Sequence, residues 1–89
     1  MLELEELTGR QVVLDTAGPI LYIGTLEQVT PNGFWLSNAD VHDATEGHMT
    51  KELYIIEAKR QGIIANRLRV FVLRNVVVSV SALDDIVEH

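Results

Sequence analysis

The sequence predicts a mainly β protein, folded as a small, strongly twisted barrel of five short strands. Three observations predict it. β-branched and aromatic runs recur along the chain, turn residues separate them, and Gly24 interrupts one run where a strand would have to bend. At 89 residues, 47% hydrophobic and 22% charged, the chain is expected to form one soluble domain over residues 1–89.

The N-terminal segment, LELEELTGR, predicts a short helical turn. Leu4 and Leu7 lie three residues apart on one face, and Gly9 would end the turn. RQVVLDT follows as a β-branched strand. DTAGP then predicts a turn in which Gly18 permits a positive φ and Pro19 fixes its own φ, the next along the chain.

The second strand, ILYIGTLEQV, contains Gly24 at a predicted bend or bulge. TPNG is the next turn, with Asn32-Gly33 as its hairpin signal. FWLSNADV is the third strand. Neighbouring side chains of a strand point to opposite faces, so we expect Phe34 inward and Trp35 outward. An outward Trp35 could be an exposed stacking platform, but we favour a place at an interface.

After the third strand the pattern changes to that of a helix at about 50–61. Thr50 is a candidate N-cap, Glu52 lies in the first turn, and two basic residues lie in the last turn, as the helix dipole favours. Gly62 fits the left-handed position after the helix. The run LYII also suits a strand, so a strand from Glu52 to Ala58 is the alternative.

Two further strands, RLRVFVLR and VVVSVSAL, are joined tightly at Arg74-Asn75, and LDDIVEH forms a short tail. The element order is therefore a helical turn, three strands, an inserted segment and two strands. This order favours the five-stranded barrel.

Charge is distributed unevenly along the chain. The net charge of −6 argues against a nonspecific nucleic-acid binder, because phosphate binding needs a cationic surface. Residues 51–76 nevertheless carry six bases and two acids, a net charge of +4. This basic strip comprises Lys51, Lys59, Arg60, Arg67, Arg69 and Arg74. It could hold phosphates, complement a helix dipole, or contact the acidic N-terminal half of a neighbouring subunit.

Several classes of function lack their sequence features. The chain has no cysteine, which excludes disulfides, thiolate nucleophiles and cysteine-based zinc sites. It has neither a basic n-region nor a long apolar run, so we predict no signal peptide and no membrane span, with the cytoplasm as the default location. No Ser-His-Asp order or phosphate-binding glycine loop occurs, so we predict neither an enzyme nor a cofactor.

The stretch NADVHDATEGH, residues 38–48, concentrates acids and histidines. In a strand, Asp40 and His42 would share one face, which is the spacing of metal ligands such as those of zinc, manganese or nickel. The alternative is a solvated loop, where Asp and His are routine turn residues. We predict no metal site, and Asp40, His42 and His48 are the candidates if one exists.

Residues 7–39 resemble the first motif of the Sm-like (LSm) family: a hydrophobic strand, a turn glycine, Gly-x-Leu in a bent strand, and a third strand ending in alanine. The matching positions are Val12, Leu14, Gly18, Gly24, Leu26, Val29, Leu36 and Ala39. Residues 70–81 resemble the second motif, with Arg74 retained and Asn75 where glycine is usual. The chain looks like a divergent, bacterial-type member with an insertion between strands three and four.

The resemblance implies an SH3-like barrel carrying an N-terminal helix. It also implies a homo-oligomeric ring of about six or seven subunits, in which strand four of one protomer pairs with strand five of the next. Such pairing would cover edges that are otherwise prone to aggregation. The predicted interface residues are Val70, Phe71, Val72, Val76, Val77 and Val78.

Sm-like proteins usually bind single-stranded RNA near the ring pore, so the resemblance implies RNA as a partner. The family's aspartate position falls on Thr30, and its asparagine position falls on Gly33 or Phe34, beside Asn32. Asparagine is the next best residue after glycine for a positive φ, which suits Asn75 to a tight turn. The predicted RNA-binding residues are Thr30, Asn32, Phe34, Arg74 and Asn75. For Arg74 the alternative is an ion pair across the ring interface or with the acidic tail.

Two hypotheses from different classes follow. The first is a ring-forming Sm-like protein that binds RNA or serves as an RNA-associated scaffold. The second is a non-enzymatic assembly module that forms the ring without nucleic acid and binds a protein partner through the inserted segment 40–66.

Overall fold

The computed structural model describes residues 2–47 and 49–88, with side chains from residue 3 onward. The elements are α1 (Leu2–Glu5), β1 (Gln11–Thr16), β2 (Ile20–Thr30), β3 (Gly33–Asp43), α2 (Lys51–Gln61), β4 (Arg67–Leu73), a 3₁₀ turn (Arg74–Val76), β5 (Val77–Ala82) and a second 3₁₀ turn (Leu83–Asp85). Within these residues five antiparallel strands form one sheet, which confirms the predicted mainly β fold. No helix in this part of the chain is long and apolar enough to cross a membrane.

The strands follow the order β4-β3-β2-β1-β5, so β4 and β5 lie at the two ends of the sheet. β4 pairs with β3 from Leu73 opposite Gly33 to Arg67 opposite Ala39. β5 pairs with β1, with a register shift at Asp15 and Thr16. Across residues 2–47 and 49–88, neither end strand has a second strand neighbour. Each therefore presents one row of backbone N–H and C=O groups on its outer edge.

One face of the bent sheet buries the main hydrophobic cluster. Its members are Val12, Leu14, Leu26, Phe34, Leu36, Ala39 and Val72. Phe34 is 3% exposed, which confirms the inward orientation predicted from strand alternation. Leu4 and Leu7 pack against this cluster, and Gly9 ends the helical segment at a φ of +87°. The predicted N-terminal helical turn is confirmed, and it lies against the cluster on this face.

Helix α2 covers a second cluster on the opposite face, formed by Val13, Leu21, Ile23, Ile55, Ala58 and Leu83. The Thr50 hydroxyl caps the helix by accepting a hydrogen bond from the Leu53 amide at 3.2 Å. At the other end Gly62 has a φ of 91° and its amide donates to the Ala58 carbonyl. The helix prediction is therefore confirmed. The alternative strand over Glu52–Ala58 is wrong, because both caps and the buried side chains favour a helix.

A bulge produces the bend that Gly24 predicts. Asn38 and Ala39 of β3 lie opposite the single residue Gly24 of β2, between the pairs Ile23–Asp40 and Thr25–Ser37. A Cβ on Gly24 would lie 3.0 Å from both the Cα and the Cβ of Ala39. Asn38, with a φ of 48°, is the bulge residue in the left-handed region. Glycine is needed at position 24 for close approach, while asparagine supplies the unusual backbone angle.

The turn between β2 and β3 differs from the expected Asn-Gly turn. Thr30 pairs with Gly33, so Pro31 and Asn32 occupy the two central positions. Proline at the first of these has a φ near −65°, which is incompatible with the mirror-image turn that Asn-Gly favours. Gly33 has no positive φ, but a Cβ there would lie 2.2 Å from the Val72 carbonyl oxygen. The glycine is thus required for the close approach of β4.

Two other turn predictions are also wrong about backbone angles. Among the described residues positive φ values occur at Asn38, Gly9, Gly47 and Gly62, and so not at Gly18 or Asn75. Asn75 sits in the 3₁₀ turn that joins β4 to β5, and such a turn needs no left-handed residue. The substitution of asparagine for the family's usual glycine therefore places no strain on this turn.

The 40–66 segment is tied to the sheet at Lys51, the first residue of α2, and at Asn66, the last residue of the segment. The Lys51 ammonium donates to the Asp15 carboxylate at 2.7 Å and to the Thr16 and Gly18 carbonyls at 2.9 Å and 2.6 Å. The Asn66 side-chain amide accepts from the Val41 amide at 3.0 Å and donates to the Val41 carbonyl at 3.1 Å. Asn66 thereby pairs with β3 as a neighbouring strand would, just beyond the point where β4 begins.

Candidate nucleic-acid interface

The two turns that the Sm-like resemblance singles out lie side by side. The Arg74 amide donates a hydrogen bond to the Asn32 carbonyl at 2.9 Å, which joins the β2–β3 turn to the β4–β5 turn. The groove between them, here called the loop groove, is lined by Pro31, Asn32, Phe71, Leu73, Arg74 and Asn75. Three predicted RNA-binding residues, Asn32, Arg74 and Asn75, therefore share one surface.

Thr30 and Phe34 take other positions. The Thr30 hydroxyl accepts hydrogen bonds from the Asn32 and Gly33 amides, both at 3.2 Å, and so holds the β2–β3 turn in shape. Phe34 is 3% exposed and belongs to the main hydrophobic cluster. Phe71, which borders the loop groove, is the aromatic residue that the sequence did not assign to this surface.

Trp35 lies on the face opposite Phe34, and its predicted outward orientation is confirmed. Its ring centroid is 4.9 Å from that of Phe71, and the Arg69 guanidinium lies 4.2 Å from the Trp35 ring centroid. Arg69 also donates to the Glu27 carboxylate at 3.1 Å. These four side chains form a compact polar and aromatic surface beside the β4 edge. The place of Trp35 in a subunit interface stays a prediction.

The basic strip is used largely within the chain. Carboxylates of the same chain pair with three of its cations, in the pairs Lys51–Asp15, Arg60–Glu88 and Arg69–Glu27. A fourth cation, Lys59, donates to the Ile86 carbonyl and ties α2 to the C-terminal tail. These pairs lower the positive potential that the strip could offer to phosphates. Arg74 is the member of the strip that lines the loop groove.

The side chains of the predicted subunit interface range from exposed to fully buried. Val78 and Val76 are 63% and 42% exposed. Val70 and Val77 pack partly against the main cluster, and Phe71 is half-buried. Val72 is 2% exposed, so its side chain belongs to the core and any contribution it makes to an interface comes from its backbone.

Residues 38–47 of the acidic and histidine-rich stretch form the end of β3 and the turn after it. Asp40 and His42 lie opposite Ile23 and Leu21 on the face that α2 covers, as their spacing predicts. The His42 ring stacks on Tyr54 of α2 with centroids 3.9 Å apart, and its Nε2 lies 3.4 Å from the Met49 carbonyl. His42 therefore connects β3 to the helix.

Asp43 caps the turn that follows β3. Its carboxylate accepts from the Thr45 hydroxyl at 2.6 Å and from the Thr45 amide at 2.9 Å, and these two bonds lower the pKa of Asp43. No three His, Asp or Glu side chains converge as metal ligands in residues 2–47 and 49–88. His48, the third metal candidate, lies outside the described residues.

Asp40 supplies a test by pH. Partial burial raises its pKa above the ordinary 3.8, although the nearby His42 acts in the opposite direction. The folded state thus holds the proton more tightly than the unfolded chain. Ionisation of Asp40 therefore destabilises the folded state. This loss of stability sets in as the pH rises from 3.8 through the pKa of Asp40 in the folded state.

We expect Asp40→Asn to raise the melting temperature slightly at neutral pH and to lose this gain below pH 3.8. Thermal unfolding followed by circular dichroism measures it, with the exposed-site variant Glu52→Gln as control. An equal gain at both pH values would contradict the assignment, because it would not depend on ionisation of Asp40.

Comparison with known proteins identifies the fold. No family model and no curated protein sequence matches the chain. Among solved structures, the chain is similar to an Sm protein of Pyrococcus abyssii solved in complex with a uridine heptamer. The alignment has a TM-score of 0.62 and 11% sequence identity, and it covers 91% of this chain and 94% of the other. This chain therefore has the Sm-like fold, a five-stranded, strongly bent antiparallel barrel preceded by an N-terminal helical turn.

Proposed function

We propose that this chain assembles into a homo-oligomeric ring and binds single-stranded RNA at the loop groove, in a binding role without catalysis. The observation that carries the RNA-binding part is the hydrogen bond from the Arg74 amide to the Asn32 carbonyl. This bond brings Asn32 and Arg74 together, and these two residues line one groove with Asn75 and the aromatic Phe71. Proteins recognise unstacked bases with these groups, because arginine and aromatic planes stack on bases and amides bond their edges.

The two ends of the sheet support the assembly part. β4 and β5 have similar lengths, seven and six residues, so one can extend the sheet of a neighbouring protomer through the other. Exposed apolar side chains lie on both edge strands, with Leu73 at 54% exposure at the end of β4 and Val78 at 63% on β5. Pairing of these edges would bury apolar surface and satisfy the open backbone groups.

The similar Pyrococcus abyssii protein lends support to RNA as the ligand, because it was solved with a uridine heptamer. Since a ring repeats every loop groove around its symmetry axis, weak contacts from single protomers would add through multivalency. A short uridine oligonucleotide is therefore the first ligand to test.

Arg74→Ala should weaken binding of labelled oligo-uridine by about tenfold, since an arginine contact to RNA contributes roughly 1–3 kcal/mol. Fluorescence anisotropy at low and high salt measures the affinity, with oligo-adenosine in parallel. Affinity should fall with salt for the wild-type chain, because phosphate binding releases counterions.

The control is Arg67→Ala, which removes the same charge at the opposite end of β4. Arg67 is exposed and its guanidinium donates to the Asn66 carbonyl, away from the loop groove. Equal losses in the two variants would indicate general electrostatic attraction and contradict the proposed groove. Absence of binding to both oligonucleotides at low salt would contradict the RNA role altogether.

A second candidate function is partner binding through the 40–66 segment without nucleic acid. Two exposed apolar side chains favour it, Leu53 at 46% and Ile64 at 81% exposure. A separate groove between α2 and β3, here called the helix groove, also opens in this segment. If the oligonucleotides do not bind at low salt, this is the role that remains.

A further inference from the structure

The helix groove shares no lining residue with the loop groove, so the proposed RNA-binding site leaves it unexplained. It has a volume of about 210 Å³, and apolar residues of β2, α2 and the segment after α2 form most of its wall. The residues that matter for its chemistry are Asp40, Met49, Tyr54, Glu57, Ile63 and Ile64. Asp40 and Glu57 thus belong to a lining that is mostly apolar, with Gln61 as a further polar residue.

The carboxylates of Asp40 and Glu57 are unpaired within the described part of the chain. Within residues 2–47 and 49–88, no hydrogen bond or ion pair reaches Asp40 or Glu57, although His42 lies near Asp40. The cations of α2 bind elsewhere: Lys51 binds the β1–β2 turn, and Lys59 and Arg60 bind the C-terminal tail. The groove therefore carries two negatively charged hydrogen-bond acceptors, and no lysine or arginine of the described residues pairs with them.

The volume sets the size of the occupant. Pockets for drug-sized ligands usually measure roughly 300–1,000 Å³, whereas a cavity of roughly 150 Å³ accepts a molecule such as benzene. At about 210 Å³ the helix groove suits one long side chain. Lysine and arginine fit this combination, because their apolar stems can lie along apolar walls while their charged ends meet carboxylates.

We propose that the helix groove is a docking site for a protein partner that inserts a lysine or arginine side chain between Asp40 and Glu57. The stem would contact Tyr54 and Ile63, and Ile64 at the rim would contact an apolar residue beside the basic one. The inference rests on the partner-binding role and names the chemistry of that partner. It does not depend on RNA binding at the loop groove.

The test uses N-acetyl-arginine methylamide as the probe and N-acetyl-citrulline methylamide as its uncharged analogue. Titration of the full ¹⁵N-labelled chain, followed by amide chemical shifts, should show shift changes for arginine at groove residues. A dissociation constant on the order of 1 mM is expected for so small a ligand. Citrulline should bind at least about tenfold more weakly, because it lacks the charge.

Matched variants localise the effect. Asp40→Asn and Glu57→Gln each remove one charge at nearly constant shape and should each weaken the arginine probe by about fivefold to tenfold. Glu52→Gln removes a charge from the exposed first turn of α2, outside the groove, and should leave the affinity unchanged.

Three results would overturn the proposal. If citrulline binds as tightly as arginine, the groove accepts a partner without recognising a cation, and the partner-binding role survives. If neither probe perturbs the groove, the partner-binding role loses its support as well. If Glu52→Gln weakens arginine as much as Asp40→Asn does, the attraction is general and the groove is not its site.

Discussion

Val78→Asp should prevent assembly of the proposed ring and leave monomers. Val78 lies on β5 with 63% of its side chain exposed in the isolated chain, so an aspartate there can remain hydrated when the protomer is alone. In a ring built by pairing β4 with β5, the same aspartate would be buried without a partner at every interface, at a cost of roughly 3–5 kcal/mol each. Size-exclusion chromatography with light scattering should show the mass of one chain.

Val87→Asp is the control for this experiment. Val87 is 69% exposed and lies in the C-terminal tail, outside the five strands. Its substitution by aspartate introduces the same charge there. Circular dichroism should show that both variants are folded. A wild-type chain that is monomeric at high concentration would contradict ring assembly. If Val78→Asp leaves an oligomer unchanged, the interface does not include the β5 edge.

Gly33→Ala should destabilise the fold by about 3 kcal/mol or more, at the upper end of overpacking costs. The added Cβ would lie 2.2 Å from the Val72 carbonyl oxygen and 2.9 Å from Cζ of Phe71. The carbonyl belongs to the paired β3–β4 ladder, so it cannot rotate away as a flexible side chain would. Urea unfolding measures the loss, which is a large fraction of the 5–15 kcal/mol typical of a protein.

Gly18→Ala provides the matched comparison. Its Cβ would meet no atom within 4 Å, and its φ is not in the positive range. This substitution should leave stability unchanged or raise it by roughly 0.4–1 kcal/mol, through a smaller unfolded-state entropy. Similar effects at positions 18 and 33 would show that the approach of β4 to Gly33 is not as close as described.

Gly18 and Gly33 show which features of a turn the sequence predicts and which it does not. Turn residues correctly place the ends of the strands, but glycine in a turn has several uses, and the pattern does not distinguish them. The Asn32-Gly33 pair suggested a mirror-image turn, although Pro31 already excluded it locally. The requirement at Gly33 comes from Val72, which is distant in sequence, so a local pattern does not reveal it.

The candidate RNA-binding residues also include some that the sequence predicts and some that only the fold identifies. The Sm-like resemblance pointed to Arg74 and to the turn around Asn32, and the fold brings these together through one backbone hydrogen bond. Phe34 was assigned to the same surface by its position in the motif, but strand alternation and the core place its ring inside. Phe71 carries no comparable motif signal, and its place beside the groove depends on how β4 pairs with β3.

By itself, the sequence determined the fold class, the five strands and the N-terminal helical turn, and it favoured the capped helix α2 over a strand. These depend on period, propensity and capping, which act within a few residues. Tertiary structure alone decided which face α2 covers, which cations are paired within the chain, and that Asp40 and Glu57 face one groove. Those outcomes depend on contacts between residues far apart in the chain, for which local patterns carry no information.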